Sequence, residues 1–399
     1  MKAGWIATTL GEAFITSTGS TPPKSNSDFY GQFMPLVKPP ELCDSTLDSA
    51  EDGLSESGTQ VARTLPPNSI LVSCIGNLGK IGMNTVPVAF NQQINAIHPD
   101  PGKAVPEFMF FQTLGGRFRE QLEAMASGTT VPIVNKSKFN SIEIVLPPLP
   151  EQQRIVTLLD EAFDGIATAK AHAEKNLQNA RAIFESHLDA VLSRSGAGYT
   201  ETTLGAEVDL LPGYAFPSGG YTNAADAVRL LRGDNIMQGY FRWEEAKGWS
   251  SNDCLPFSKF ALQEGDVVIA MDRPWVKAGL KRAQICADDL PSLLVQRTSR
   301  LRTLGKMRMD FLSHLTGSQS FSRHLLEVQT GIGVPHISGK QIESFKFMLP
   351  PMSDQESIAD ALNELLSNTQ RLEKIYEEKL TALDELKKSL LAQAFSGAL

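Results

Sequence analysis

The sequence predicts an α+β fold in which two tandem mixed α/β domains are each followed by a long helix. The two helices are predicted to form an antiparallel coiled-coil spacer with pseudo-two-fold symmetry. Two observations predict this fold: one block of motifs occurs twice, and each copy ends in a long heptad-patterned stretch. A chain of 399 residues with 42% hydrophobic content can also bury two cores. The predicted segments are residues 1–149, 150–194, 195–350 and 351–399.

The repeated block is domain-sized. Gly128-Thr-Thr-Val-Pro132 and Leu146-Pro-Pro-Leu-Pro-Glu-Gln-Gln-Arg-Ile155 return 203 residues later as 331–335 and 349–358. Thr8-Thr-Leu-Gly11 returns as Thr202-Thr-Leu-Gly205, which is 194 residues later. A period near 200 residues excludes a solenoid. A duplicated unit imitates a two-fold dimer, and such an arrangement suits a target with two half-sites.

The globular parts show strands and helices in the same order. In the first copy the predicted elements are strands at 69–75, 91–97 and 142–146, a helix at about 106–125, and a surface loop at 45–60. In the second copy they are strands at 266–270 and 295–301 and a helix at about 309–329. The agreement of two different sequences supports both assignments.

Each long helix carries apolar residues alternately three and four positions apart. The first is predicted over about 150–194 and the second over about 353–395, with Ser353 and Glu356 in a capping-box pattern. About 40 residues of helix span ~60 Å. Ordinary amphipathic helices that pack on their own domains remain an alternative. The predicted helix or subunit interface residues are Ile155, Leu159, Ile166, Ile183, Leu362, Leu365, Leu372, Leu383, Leu386 and Leu390.

Composition limits the possible classes of protein. No run of about 18 apolar residues is present, and the N-terminus lacks a signal-peptide pattern, so no membrane segment is predicted. The four cysteines are scattered and the six histidines show no ligand spacing, which argues against disulfides and metal. The net charge is -8, but residues 201–350 carry +1. The acidic charge lies disproportionately on the two helical segments, the second globular segment is close to neutral, and DNA binding stays permitted.

Catalytic motifs are missing. The sequence has no Walker lysine motif, no Gly-x-Ser-x-Gly, no His-Glu-x-x-His and no Asn-Pro-Pro-aromatic tetrapeptide. The glycines of Gly76-x-x-Gly79-Lys80-x-Gly82 superficially suggest a phosphate loop but lack the required spacing, so a β-turn is the better interpretation. We therefore expect a chain without catalytic residues and without a metal.

The residues resemble the specificity subunit of type I restriction-modification enzymes. The motifs that carry the resemblance are Thr9-Leu-Gly11, Gly79-Lys80-Ile, Asn91-Gln-Gln93, Gly128–Pro132, the Leu146 block and Leu230-Leu-Arg-Gly-Asp-Asn-Ile236. The second copy departs from the pattern, with Trp275-Val-Lys-Ala-Gly279 and Val295-Gln-Arg297 in place of Gly-Lys-Ile and Asn-Gln-Gln. The two half-sites should therefore differ.

The resemblance implies a reader of double-stranded DNA. Each globular unit would be a target-recognition domain for one half of a bipartite, asymmetric DNA site, and the paired helices would fix the distance between the halves. The partners implied are two methyltransferase subunits, which supply S-adenosylmethionine, and restriction/translocase subunits. This chain would bind no cofactor itself and would work in the cytoplasm.

Candidate DNA contacts are basic and amide side chains near predicted loops, together with one tryptophan, because phosphates attract Lys and Arg while base edges pair with Arg, Asn and Gln. In the first half they are Lys24, Asn77, Lys80, Gln92, Gln93, Lys136 and Lys138. In the second half they are Arg232, Asn235, Arg273, Trp275, Lys277, Lys281, Arg282, Arg297 and Lys340. Gly128 and Gly331 are interpreted as turn glycines.

Two other functions remain open at this point. One is a scaffold that organises partners through its coiled coil without binding DNA. The other is the recognition half of a fused restriction-methylation enzyme. The sequences at both termini favour a complete chain over such a fragment. Co-purification with a methyltransferase subunit, followed by a DNA-binding test, separates the reader from the scaffold.

Overall fold

A computed structural model describes residues 2, 4–128, 130–277, 279–330 and 334–399. The chain forms two compact units: unit 1 is Met1–Glu174 with Glu377–Leu399, and unit 2 is Lys175–Tyr376. Both divisions fall inside the long helices, so each helix contributes to both units. The domain boundaries drawn from the sequence at the starts of these helices stay predictions.

Unit 1 is a mixed α/β structure. Its strands are β1 (Ile6–Thr9), β2 (Ile15–Thr18), β3 (Tyr30–Val37), β4 (Ser45–Leu47), β5 (Gly53–Leu54), β6 (Thr64–Leu65), β7 (Ile70–Ser73), β8 (Ile81–Asn84), β9 (Val88–Phe90), β10 (Ile94–His98) and β11 (Glu143–Leu146). Its helices are α1 (Leu10–Ala13), α2 (Glu56–Val61), α3 (Pro106–Leu114), α4 (Gly116–Ala124) and α5 (Lys136–Asn140), and the long α6 (Leu149–Leu192) begins here.

Unit 2 has a similar but not identical order of elements. Its strands are β12 (Thr200–Thr203), β13 (Val208–Pro212), β14 (Val228–Leu231), β15 (Gly248–Trp249), β16 (Val267–Ala270), β17 (Trp275–Val276), β18 (Gly279–Leu280), β19 (Arg282–Gln284), β20 (Ser292–Leu294), β21 (Thr298–Thr303) and β22 (Lys346–Leu349). Its helices are α7 (Leu204–Glu207), α8 (Met309–Gly317), α9 (Gln319–Val328), α10 (Gly339–Glu343) and the long α11 (Met352–Ser396).

The central sheets of the two units have equivalent strand orders. Unit 1 has β2-β10-β7-β8-β4, in which only β4 runs parallel to its neighbour. Unit 2 has the antiparallel order β13-β21-β16-β19. The middle strands β7 and β16 are buried along their whole length, as expected for β-branched apolar runs. The strands predicted at 69–75 and 266–270 are confirmed.

The repeated Thr-Thr-Leu-Gly block joins the two ends of each globular part. β1 pairs with β11 and β12 pairs with β22, both antiparallel. A Cβ added at Gly11 would lie 2.8 Å from Asn140 Cβ, and one added at Gly205 would lie 2.8 Å from Glu343 Cβ. Glycine is therefore required for close approach to α5 and α10, which explains its presence in both copies.

The repeated Leu-Pro-Pro-x-x-x-Gln block fixes each long helix to its domain. Gln152 is fully buried: its Nε2 donates to Lys103 O (2.9 Å) and Pro147 O (2.8 Å), and its Oε1 accepts from Val105 N (2.9 Å). Gln355 makes the same three bonds, to Lys306 O (3.0 Å), Pro350 O (2.9 Å) and Arg308 N (2.9 Å). One side chain thus satisfies three main-chain groups that would otherwise be unpaired.

The long helices pack antiparallel. In unit 1 Lys170 Nζ lies 2.8 Å from Asp384 Oδ1, and in unit 2 Arg181 Nε lies 2.9 Å from Glu373 Oε2. A step of eleven residues forward along α6 thus moves the partner eleven residues backward along α11. The predicted antiparallel pair is confirmed, together with the predicted fold class.

At three places the seam of this helix pair is shifted by one residue from the predicted seam. Ile155, Leu159, Ile166 and Leu362 are buried and Leu365, Leu383 and Leu390 are half-buried, as expected. Ile183, Leu372 and Leu386 are instead exposed by 52%, 40% and 47%, so they lie outside the buried seam, and their assignment to a helix or subunit interface stays a prediction. Their neighbours Phe184, Glu373 and Lys387 are half-buried in their place. A seam whose residues are three and then four positions apart differs by one residue from a seam that starts with the step of four. The apolar residues of these helices fit both seams.

Three further predictions need correction. The helices predicted at 106–125 and 309–329 are each two helices, broken at Gly115 and Ser318, whose backbones are extended. The loop predicted at 45–60 contains β4, β5 and α2. Ser353 lies inside the first turn of α11, where its hydroxyl donates to Asp354 rather than capping the helix.

Candidate nucleic-acid interface

Three loops of unit 1 meet at the end of β7, and we call this place the unit 1 junction. Cys74 N donates to Gln93 O (2.8 Å), Val134 N donates to Cys74 O (2.9 Å), and Gly76 N donates to Pro132 O (3.0 Å). The junction therefore brings together the Gly-Lys-Ile, Asn-Gln-Gln and Gly-x-x-Val-Pro motifs, which are far apart in the sequence.

Unit 2 builds the same junction at the end of β16. Met271 N donates to Arg297 O (2.8 Å), Ile337 N donates to Met271 O (2.8 Å), and Arg273 N donates to Pro335 O (3.0 Å). The backbone is thus equivalent at 74/271, 76/273, 93/297 and 132/335, although most of the side chains differ. The same hydrogen-bonded main chain therefore presents different side chains in the two units.

Left-handed backbone occurs at both junctions. Gly76 has φ +77°, its counterpart Arg273 has φ +46°, and Arg297 has φ +67°. A non-glycine residue in this region costs ~1–3 kcal/mol and persists where the surrounding structure fixes it, often at functional sites. Gly128 has φ +103°, and a Cβ there would come within 2.4 Å of Val131 O, as expected for a turn glycine. Its repeat Gly331 lies outside the described residues.

Four predicted residues of unit 1 lie at the junction. Asn77 and Gln92 are exposed, while Lys80 and Gln93 are half-buried. The Asn77 carbonyl accepts from Ser73 Oγ (2.5 Å), and Lys80 N donates to the same hydroxyl (2.9 Å). Gln92 Oε1 accepts from Thr21 Oγ1 (2.9 Å). The Ser73 hydroxyl thus bonds to the main chain on both sides of this turn, on which Asn77 is exposed.

The other lysines predicted in unit 1 are more scattered. Lys136 and Lys138 belong to α5, directly after the junction, and Lys138 Nζ donates to Met125 O (2.8 Å). Burial, followed by the charge of Lys136, lowers the pKa of His98, which keeps that imidazole neutral at pH 7. Lys24 is exposed, and within the described ranges no hydrogen bond or ion pair connects it to the junction.

In unit 2 the predicted basic loop surrounds the junction. Arg273 and Lys277 are exposed, and Trp275 Nε1 donates to Gln329 Oε1 (2.8 Å). Lys281 Nζ donates to Gly233 O (3.3 Å), which places the turn containing Arg232 beside the loop. Arg232 is half-buried and lies 3.5 Å from Asp234, and Lys340 is exposed on α10.

Two predicted DNA contacts in unit 2 are directed into the domain. Arg282 Nη1 donates to Ser313 Oγ of α8 (3.1 Å), and burial lowers the pKa of Arg282 to about 10. It follows Lys281 along the chain, and neighbouring residues of a strand point to opposite faces. Asn235 is buried and accepts from Arg232 N (3.1 Å) while donating to Arg242 O (3.0 Å). The structure does not bring either side chain to the loop surface.

Asp272 and His336, which were not among the predicted residues, lie beside Arg297 at the unit 2 junction. Asp272 Oδ1 lies 2.5 Å from His336 Nδ1, and its Oδ2 lies 3.2 Å from Arg297 Nε. Their counterparts in unit 1 are Ile75 and Ile133, which form the corresponding bridge. The only signal in the sequence was their position next to the junction motifs. A comparison of the two copies does not reveal the pair, because the residues that match it in unit 1 are apolar.

Metal-binding clusters and membrane-spanning helices are both absent among the described residues. Across the described part of the chain, no group of three or more His, Cys, Asp or Glu residues is placed to hold a metal ion. The same residues contain no helix that is long and apolar enough to cross a bilayer. Each junction instead presents amide and cationic side chains on a fixed main chain, which is the arrangement that sequence-specific contacts require.

The chain is similar in sequence to several known proteins. The chain is 33% identical over 178 residues to the EcoAI specificity subunit of Escherichia coli, covering 45% of this chain and 30% of that protein. It is 26% identical to the MjaVIII specificity subunit of Methanocaldococcus jannaschii, covering 65% and 64%. It is 22% identical over 422 residues to the StySPI specificity subunit of Salmonella potsdam, covering 100% and 90%. The chain therefore spans less than two thirds of the first two relatives.

Solved structures agree on the fold. A chain from a study of complex assembly and conformational transition of the type I R-M system matches with a TM-score of 0.83 at 18% identity, covering 100% of this chain and 99% of that one. The HsdS subunit of Thermoanaerobacter tengcongensis matches with a TM-score of 0.63 at 17% identity, covering 100% and 98%.

The sequence pattern described as "Type I restriction modification DNA specificity domain" matches residues 2–178 and 241–382. These ranges cover well over half of the chain and include both junctions, while the turn containing Arg232 lies outside them. The protein therefore belongs to the type I restriction modification DNA specificity domain family.

Proposed function

We propose that this chain is the DNA sequence-recognition subunit of a type I restriction-modification complex. Each unit reads one half of a bipartite, asymmetric site on double-stranded DNA, and the chain itself carries no catalytic step. The observation that supports this most strongly is the junction built twice on the same main-chain bonds with different side chains. A scaffold that only organised partners would have no need for this pattern.

The partners in this proposal are two methyltransferase subunits and the restriction/translocase subunits. The relatives are named as specificity subunits of type I restriction enzymes, and the chain spans 90% of one of them. The exposed apolar residues Ile183, Leu372 and Leu386 on the long helices offer binding surface for such subunits. S-adenosylmethionine would be bound by the methyltransferase subunits. We place the complex in the cytoplasm, where its DNA lies.

Co-expression with the methyltransferase subunit should produce a methylation pattern that depends on this chain. In a host without other methylation, single-molecule sequencing should reveal one motif of two short half-sites separated by a fixed number of unread base pairs. The control is the methyltransferase subunit expressed alone, which should leave the DNA unmodified. Equal methylation without this chain, or a motif without a gap, would contradict the proposal.

The exposed cations of the unit 2 loop are expected to bind phosphates. Replacing Arg273 and Lys277 with alanine should weaken binding by the assembled complex about equally for all DNA sequences. The slope of log affinity against log salt should shrink by about 0.9 for each phosphate contact that is lost. The measurement is fluorescence anisotropy at several salt concentrations.

A double variant with the same charge change is the control for this experiment. Lys259 and Arg323 are also exposed in unit 2, on a 3-10 turn and on α9. Their replacement with alanine should leave the salt slope unchanged. Equal effects of the two double variants would mean that only the overall charge matters and that the loop lies away from DNA.

A further inference from the structure

We infer that Arg297 reads a guanine in the half-site bound by unit 2 and that Asp272 positions its side chain. This inference rests on the proposed function, because it names the base that one junction recognises. It makes residue 93/297, whose carbonyl closes each junction, a specificity-determining position in both units.

The backbone at Arg297 is fixed from both sides. Its carbonyl accepts from Met271 N (2.8 Å), and Gln296 N donates to Tyr214 O (2.7 Å). The next residue, Thr298, is fully buried, and its hydroxyl donates to Val295 O (2.6 Å). These bonds hold Arg297 at φ +67°, a conformation in which an arginine is uncommon. The side chain is therefore presented from a rigid point rather than from a mobile loop.

The side chain is exposed but braced. It is 71% exposed, and its Nε lies 3.2 Å from Asp272 Oδ2. Asp272 is held in turn by His336, whose Nδ1 lies 2.5 Å from Oδ1. No other described residue forms a hydrogen bond or ion pair with Nη1 or Nη2 of Arg297, so that edge of the guanidinium remains for a ligand. Bracing also lowers the rotamer entropy that a free arginine loses on binding.

Charge favours a base edge over a phosphate at this position. The carboxylate of Asp272 offsets the positive charge of Arg297, so the pair attracts the DNA backbone less than an unpaired arginine does. Directional donors remain, and two nitrogens in a planar fork match the O6 and N7 acceptors of guanine. Arg273, which has no such carboxylate, is the better phosphate contact.

The counterpart in unit 1 supports a reading role for the same position. Gln93 occupies the equivalent place, and its Oε1 accepts from Asn91 Nδ2 (3.0 Å). In unit 2 the residue that matches Asn91 is the buried Val295, which cannot hold a side chain by hydrogen bonding. In unit 2 the side chain at this position is instead held by Asp272, whose counterpart in unit 1 is Ile75. Glutamine pairs with adenine where arginine pairs with guanine, so the two junctions would read different bases.

The test uses the assembled methyltransferase complex and a methylation map. The variants are R297Q, R297K and D272N, and R323Q serves as a matched control because Arg323 is an exposed arginine on α9. The wild type should require G·C at one position of one half-site. R297Q should lose that preference by roughly ten- to a hundred-fold and shift it toward A·T, with every other position unchanged.

The conservative variants separate a reader from a structural residue. R297K keeps the charge but not the fork, so it should lose the preference while the salt slope of binding is retained. D272N should weaken the preference at the same base pair without changing the others, whereas a merely structural role would lower methylation at all sites. R323Q should match the wild type.

Three results would overturn the inference. Unchanged base preference in R297Q and R297K would exclude Arg297 as a reader. A uniform loss of methylation in R297Q, with a smaller salt slope that R297K restores, would make Arg297 a phosphate contact. An effect of D272N on every base pair of the half-site would make Asp272 structural. Absence of a bipartite motif in the wild type would instead reject the proposed function itself.

Discussion

Inserting seven residues into each long helix should widen the unread gap between the two half-sites by about three base pairs. Seven residues lengthen a helix by ~10 Å, and B-DNA rises ~3.4 Å per base pair. A whole heptad restores the packing register, so the buried seam continues on both sides. Suitable insertion points are Glu174/Lys175 in α6 and Tyr376/Glu377 in α11, where the compact units divide. The methylation map gives the gap directly.

Matched insertions test whether the helix pair, and not the loops, sets this distance. An insertion into α6 alone should prevent the ion pairs Lys170–Asp384 and Arg181–Glu373 from forming together, and should lower methylation rather than change the gap. Both half-site sequences should stay unchanged in the double insertion, because the junctions lie far along the chain from the insertion points. If the gap stayed unchanged in a stable double insertion, the length of the helix pair would not set the distance between the half-sites.

The sequence was sufficient for the elements that repeat. Both long helices, the strands β7 and β16, and the antiparallel helix pair followed from duplicated motifs and heptad spacing. The repeat also marked Gln152 and Gln355, but their role as three-way hydrogen-bond centres could not be read from spacing. The helix breaks at Gly115 and Ser318 were missed because Phe110, Phe111, Leu114, Phe118 and Leu122 are buried in either arrangement.

The candidate site was harder to predict than the fold. Position along the chain does not reveal the direction of a side chain, so the sequence predicts the same role for Lys281 and its neighbour Arg282, although their side chains point to different places. Asp272 was missed because an acidic residue is not an expected DNA contact. It gains its role only through Arg297 and His336, which are distant in sequence and meet through main-chain pairing at the junction.

Replacing Gln152 with methionine should destabilise the protein by about 3 kcal/mol. Methionine has a similar volume but cannot donate to Lys103 O and Pro147 O or accept from Val105 N, and each unsatisfied buried group costs ~1–3 kcal/mol. For a unit of this size such a loss lowers Tm by about 6–12 °C. Differential scanning calorimetry measures the shift, and Q355M should produce a similar one because Gln355 makes the same bonds.

The next residue along α6 provides the control. Gln153 has the same chemistry but is exposed, so Q153M should change stability by less than about 0.5 kcal/mol. If Q152M were as stable as Q153M, water or a main-chain shift would have to satisfy the three groups, and the repeated glutamine would need another explanation. A loss confined to Q152M and Q355M would instead mean that the motif is duplicated because each domain needs the same buried joint to hold its helix. The repeated Leu-Pro-Pro-x-x-x-Gln block would then serve to fix each long helix to its domain, while the side chains that read the half-sites vary on the junction loops.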